Sequence, residues 1–168
     1  MSSEEHLSPR AVDTQFLVRR SMTKGYELFS LLTPPVYIAF ILARKGRAHF
    51  SANRFLRAAW VGGAAGCATG GALEYVRCAN STETTIGSRH LRNAYDAASL
   101  RADDHSTIGS LLFAVLTPAL LWKRANVVNL ILGGAGIGSS IGLVTHHTRN
   151  LMGDTPPIVK VPELPVPS

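Results

Sequence analysis

The sequence predicts an all-α, polytopic membrane protein with four transmembrane helices, two of them glycine-ribbed, and extended terminal arms. Three observations predict this. Four long runs are nearly free of charge: Tyr26–Ala43, with Glu27 at its edge, Ala58–Leu73, Thr107–Trp122 and Val127–Thr145. With their polar edges included, each reaches the ~17–25 residues that cross a hydrocarbon core. Glycine recurs at every fourth position in the second and fourth runs, and the 17 basic and 11 acidic residues collect between the runs. A soluble bundle would show a polar stripe on its helices, and 58–73 and 127–145 show none. Five glycines within 62–71 would also weaken a helix in water by roughly 1 kcal/mol each relative to alanine. In lipid, the unsatisfied backbone imposes the helix regardless.

The elements follow in order. Residues 1–25 form an N-terminal arm ending in Arg19, Arg20 and Lys24. The transmembrane domain covers 26–152. Its first span, about 26–43, contains Leu32-Thr33-Pro34, and a proline there frees a carbonyl and favours a kink. The loop 44–57 carries Arg44, Lys45, Arg47, Arg54 and Arg57 and no acid. In the second span, 58–76, Gly62, Gly66 and Gly70 stack on one face, with Gly63, Cys67 and Gly71 beside them. Small residues four apart let helix backbones approach closely, and van der Waals packing then holds them together in lipid.

In the connection 77–106, Leu91, Tyr95 and Ala98 recur at helical spacing. They predict an amphipathic helix over 88–101, lying on headgroups or on another protein. Asp103 or Asp104 then suits the cap of the third membrane helix. That span, 107–122, contains Leu116-Thr117-Pro118; the short loop 123–126 brings Lys123 and Arg124; the fourth span, 127–145, has Gly134, Gly138 and Gly142 as its rib. Proline helix, basic loop and glycine helix are thus stated twice, the pattern of a duplication. The C-terminal arm, 153–168, has five prolines, which favour an extended polyproline-like strand.

With four spans, both basic loops lie on one side, and positive short loops favour the cytosolic or matrix side. The termini and the 77–106 connection face the other compartment. The start, MSSEEHLSPR, lacks the apolar core of a signal peptide and is too acidic for a transit peptide, which leaves internal import signals. Asn80-Ser81-Thr82 fits the glycosylation pattern; on the side away from the basic loops it could be modified in the secretory pathway, whereas in a mitochondrion it would be inert. Cys67 and Cys78 lie ~16 Å apart along one helix, too far for a mutual disulfide. The net charge of +6 sits in loops bordering the membrane, where it serves orientation and lipid headgroups and does not imply nucleic acid.

One polar constellation gathers near a single membrane face: Glu74, Arg77, Asp103, Asp104, His105, His146, His147 and Arg149. Every member lies at a span boundary, where polar groups are expected. The functional alternative is His105 with His146 or His147 on haem or a metal, or carboxylates relaying protons, with Glu74 the deepest of the set. Glycine clusters inside apolar spans do not follow a strand and are not nucleotide loops. The residues therefore predict no catalytic, cofactor-binding or metal site and leave room for a bound phospholipid such as cardiolipin; the rival is a haem or quinone protein using His105 with His146 or His147.

The stretch RADDHSTIGSLLFAVLTPALLWKRA, 101–125, followed by the glycines at 133–142, resembles a fungal accessory subunit of the membrane arm of mitochondrial respiratory complex I (NADH:ubiquinone oxidoreductase). More loosely, 55–145 is similar to the four-span Tim17/Tim22-type inner-membrane proteins. The resemblance implies a mitochondrial inner-membrane protein with both termini in the intermembrane space. It also implies a non-catalytic subunit whose partners are other membrane subunits and the bilayer, with no small-molecule substrate. The alternative is a translocase or channel component, for which the span interiors offer only small polar residues, Thr69, Ser110, Asn129, Ser139 and Ser140.

Overall fold

A computed structural model describes residues 8–44 and 50–154. Its elements are all helices: α1 Pro9–Arg44, α2 Ala52–Ala79, α3 Glu83–Ala94, α4 Ala97–Leu121 and α5 Val127–Leu151. Three of them, α1, α4 and α5, are long and apolar enough to cross a membrane, which marks a membrane-embedded protein. The second expected span lies in α2, whose 28 residues are long enough, but its glycines and Glu74 dilute its hydropathy. By apolarity the structure gives three spans where the sequence predicts four.

The helices form two hairpins, α1 with α2 and α4 with α5, joined where α5 meets α2 and α1. Within each hairpin the backbones nearly touch at glycine. A Cβ on Gly25 would lie 2.1 Å from the Gly66 carbonyl oxygen, and one on Gly109 would lie 2.2 Å from that of Gly138. Gly70 faces the Ser21 carbonyl, Gly142 faces that of His105, Gly62 sits on the Thr33 side chain and Gly134 on that of Thr117. The spacing between the two sets is constant. Gly25, Phe29 and Thr33 of α1 recur 84 residues on as Gly109, Phe113 and Thr117 of α4; Gly62, Gly66 and Gly70 of α2 recur 72 residues on as Gly134, Gly138 and Gly142 of α5. The repeated proline motif therefore belongs to a repeat of contacts, because the same residue types meet in both hairpins.

Three expectations are corrected. Residues 9–25 are not an extended arm; they are the first half of α1, a helix of 36 residues. Such a helix is ~54 Å long, well beyond the ~30 Å hydrocarbon core. The overhang is helical because it has something to pack on: Phe16 and Leu17 meet Ile86 of α3 and Cys78 of α2 in a small core, and Asp13 pairs with His90. The amphipathic helix expected over 88–101 is instead cut at Tyr95–Asp96. Asp96 caps α4, accepting from the Ser99 backbone N–H at 3.1 Å, because a short carboxylate matches the unpaired amides of a first turn. Neither Asp103 nor Asp104 is the cap; both lie inside α4, which begins ten residues ahead of the expected span. The helices run unbroken through Pro34, Pro35 and Pro118. Residues 1–7, 45–49 of the basic loop, and 155–168 of the expected C-terminal arm lie outside the described residues.

Both cysteines are free. Cys78 is 1% exposed in the small core, and burial, reinforced by the Glu74 carboxylate, pushes its thiol pKa up. Since the thiolate is the reactive form, the folded protein in a Cys67→Ala background is expected to resist N-ethylmaleimide at neutral pH. Ile86→Ala, which opens this core at a cost of about 2–5 kcal/mol, is expected to restore labelling. Labelling of wild-type Cys78 at the rate of the unfolded chain would contradict the packing.

Candidate functional site

The N-terminal half of α1, the C-terminal ends of α2 and α5, α3 and the start of α4 gather at one end of the molecule, and the charged residues meet there. Lys24 and Glu27 lie one turn apart on α1 and pair at 3.0 Å. Lys24 also pairs with Asp103 of α4, and Arg20 lies 4.0 Å from the same carboxylate. One lysine thus bridges two acids from different hairpins. On the flank, Glu74 of α2 pairs with Arg89 of α3, and the Cys78 thiol donates to it at 3.7 Å.

Among the described residues Glu27, not Glu74, is the deepest carboxylate: 3% exposed against 9%. Glu74 sits near the end of α2, where α3 brings Arg89 over it. Glu27 faces inward, where α1 crosses the second hairpin. The sequence reading places Glu27 at the edge of a run and gives it no role. The signal available was Lys24 three residues earlier, since residues so spaced are neighbours on a helix surface.

The structure does bring the three histidines together. His105 and His146 have ring centroids 5.5 Å apart, as do His146 and His147. His105 Nδ1 lies 2.8 Å from the Arg101 carbonyl, and His146 is buried. Among the described residues, no group of three or more His, Cys, Asp or Glu is placed to hold a metal ion. Arg149 pairs with Asp154, which also accepts from Arg101, whereas Arg77 and Asp104 are exposed.

A seam of small polar side chains continues inward from Glu27. Ser30, Ser106, Ser139 and Ser140 are all buried. The Ser106 and Ser139 hydroxyls are bonded at 2.7 Å, and Ser140 donates to the Gly136 carbonyl. At the opposite end, the Trp60 indole N–H donates to Asn129 Oδ1 at 3.0 Å, and the Asn129 amide donates to Asn53 at 2.8 Å. In hydrocarbon, where apolar contact between helices gains little over contact with lipid, the bonds between helices, Ser106 with Ser139 and Asn129 with Trp60 and Asn53, contribute roughly 0.6–2 kcal/mol each. The Asn129 bonds, the Lys24–Asp103 ion pair and the close approach of Gly133 to the Leu56 backbone therefore join the hairpins to each other, while the Ser106–Ser139 bond and the other tight glycine contacts close each hairpin internally.

No family model, curated protein or solved structure matches this chain. What the site can do must be argued from its own geometry: it neutralises buried acids with shared cations, fixes two hairpins in register and leaves a cavity beside Glu27.

Proposed function

We propose that the chain is a non-catalytic accessory subunit of the membrane arm of mitochondrial respiratory complex I, that it supports assembly and stability of that arm, and that α2 crosses the inner membrane as a fourth span. The observation that carries this reading is the internal clamping of both hairpins through glycine, which leaves α4 with an outer face of Ile108, Leu111, Leu112, Val115 and Leu120 exposed. A preassembled wedge with apolar flanks is suited to bracing larger membrane subunits. The fourth span is supported by the pairing of α2 with the apolar part of α1, where Gly62 meets Thr33 and Gly66 meets Phe29. The resemblance of residues 101–142 to complex I accessory subunits supplies the compartment and the partners, with both termini in the intermembrane space.

Native electrophoresis of mitochondrial membranes in mild detergent tests this. The chain is expected to co-migrate with a large respiratory assembly, and Gly66→Leu or Gly138→Leu is expected to lower the amount of that assembly. Migration near the chain's own mass, or unchanged assembly in both variants, would overturn the proposal.

A second reading is a Tim17/Tim22-like translocase or channel component. The observation favouring it is the buried seam that runs from Glu27 through Ser30, Ser106 and Ser139, which gives the space between the hairpins a polar character. Conductance of the purified chain in a planar bilayer, abolished by Glu27→Gln, would favour this reading over the first.

A further inference from the structure

A cavity of about 470 Å³ opens between α1, α4 and α5. Its wall is divided. Leu28, Leu31 and Leu143 line the part toward the middle of the bundle, and Lys24, Glu27, His147 and Asn150 line the part toward the charged end. Two of these polar residues are incompletely matched. Glu27 Oε2 accepts from Lys24, but Oε1 is buried without a hydrogen-bond partner among the described residues, and so is Asn150 Oδ1. The Ser106 hydroxyl in the same buried seam is bonded to Ser139 and is a neighbouring donor that can also turn toward Glu27.

Both unmatched atoms are acceptors. Both have almost no accessible surface of their own; buried polar groups are nearly always paired, so a molecule that completes this cavity and draws these side chains toward it should bring hydrogen-bond donors. We infer that the cavity binds the headgroup of an ethanolamine phospholipid. A primary ammonium supplies three donors and no acceptor, which suits a carboxylate and an amide oxygen. The phosphate attached to it meets Lys24 in the same wall, a charge-assisted bond, with the His147 ring beside it. An acyl chain then follows Leu28 and Leu31 toward the middle of the bundle. The wall is polar toward the charged end and apolar toward the middle of the bundle, as headgroup and acyl chain are, and the headgroup folds back so that its ammonium reaches Glu27 while its phosphate stays at Lys24. Choline lipids carry the same charge without an N–H donor, so the site discriminates by hydrogen bonding. This inference rests on membrane embedding and not on the assembly role, so failure of co-migration leaves it standing.

The test is native mass spectrometry of the purified full chain, released from nanodiscs containing equal parts phosphatidylethanolamine, phosphatidylcholine and phosphatidylglycerol. One retained phosphatidylethanolamine is expected, favoured over phosphatidylcholine by at least about tenfold, the size of one hydrogen bond to a charged group. Glu27→Gln and Asn150→Leu should each reduce that retention; Asn150→Leu, on the cavity rim, serves if Glu27→Gln fails to fold. Equal retention of the choline lipid, preference for the glycerol lipid, unchanged retention in the folded variants or no retained lipid would overturn the inference. So would binding of free O-phosphoethanolamine as tightly as the lipid, since the leucine wall would then contribute nothing.

Discussion

Gly138→Ala is expected to open the α4–α5 hairpin, while Gly136→Ala, two residues away on the same helix, is expected to leave it closed. A methyl on Gly138 would lie 2.0 Å from the Gly109 carbonyl oxygen, 2.6 Å from its carbon and 2.7 Å from Phe113 Cβ. Two of these atoms are backbone and cannot rotate away, so the helices must separate. Separation also loosens the neighbouring contacts, Gly142 on His105 and Gly134 on Phe113 and Thr117. The cost should reach about 3 kcal/mol, the upper part of the usual over-packing range. On Gly136 the nearest atoms to a new Cβ are Ala59 and Ser30 at 3.7 Å, an ordinary contact. Alanine there gains helix propensity, worth up to about 1 kcal/mol, and should be neutral or stabilising. Because the contacts repeat, Gly66→Ala should open the α1–α2 hairpin in the same way, its Cβ falling 2.3 Å from the Gly25 carbonyl oxygen. Thermal unfolding in nanodiscs, followed by circular dichroism, compares the three. Equal losses at 136 and 138 would mean that α5 does not present this face to α4.

Those pairings show what the sequence could and could not disclose. The apolar runs announce α1, α4 and α5, and the four-residue glycine spacing announces which faces are shaved. Which row meets which helix is harder to read, because both rows satisfy the same rule. The answer lay in the constant offsets, since Gly25 and Gly109 stand in the same register to Thr33 and Thr117. The connection is misread because the spacing of Leu91, Tyr95 and Ala98 runs across a cap. Asp96 with Ser99 three residues on was the local signal that a new helix begins. The overhang of α1 was hidden for a different reason. Phe16 and Leu17 acquire a packing partner only from Ile86 and Cys78, distant in the chain. Glu27 is the same case in electrostatic form: a charge at the edge of an apolar run reads as interfacial until a second hairpin covers it, and the acid that shares its lysine lies 79 residues beyond that lysine.

That sharing leads to the second large effect: Lys24→Met is expected to destabilise the fold by more than Lys24→Met combined with Glu27→Leu. Removing the lysine alone strands Glu27, 3% exposed, and leaves Asp103 only with Arg20 at 4.0 Å. Breaking a buried pair from one side costs about 3–5 kcal/mol. The Lys24 side chain is 37% exposed, so solvent screening reduces this to about 2–3 kcal/mol. Removing both charges eliminates the stranded carboxylate, and replacing a buried ion pair by apolar groups is often neutral or stabilising. Leucine at 27 also extends the apolar wall of Leu28 and Leu31, while Asp103 keeps Arg20. The double variant should therefore recover most of the loss, and a double-mutant cycle should show coupling well above the ~0.5 kcal/mol within which independent sites add. Unfolding midpoints of the four proteins in nanodiscs decide it. An additive cycle would mean that Lys24 serves Asp103 alone and that the Glu27 carboxylate is satisfied from elsewhere, which would also empty the cavity beside it of its reason to hold an ammonium.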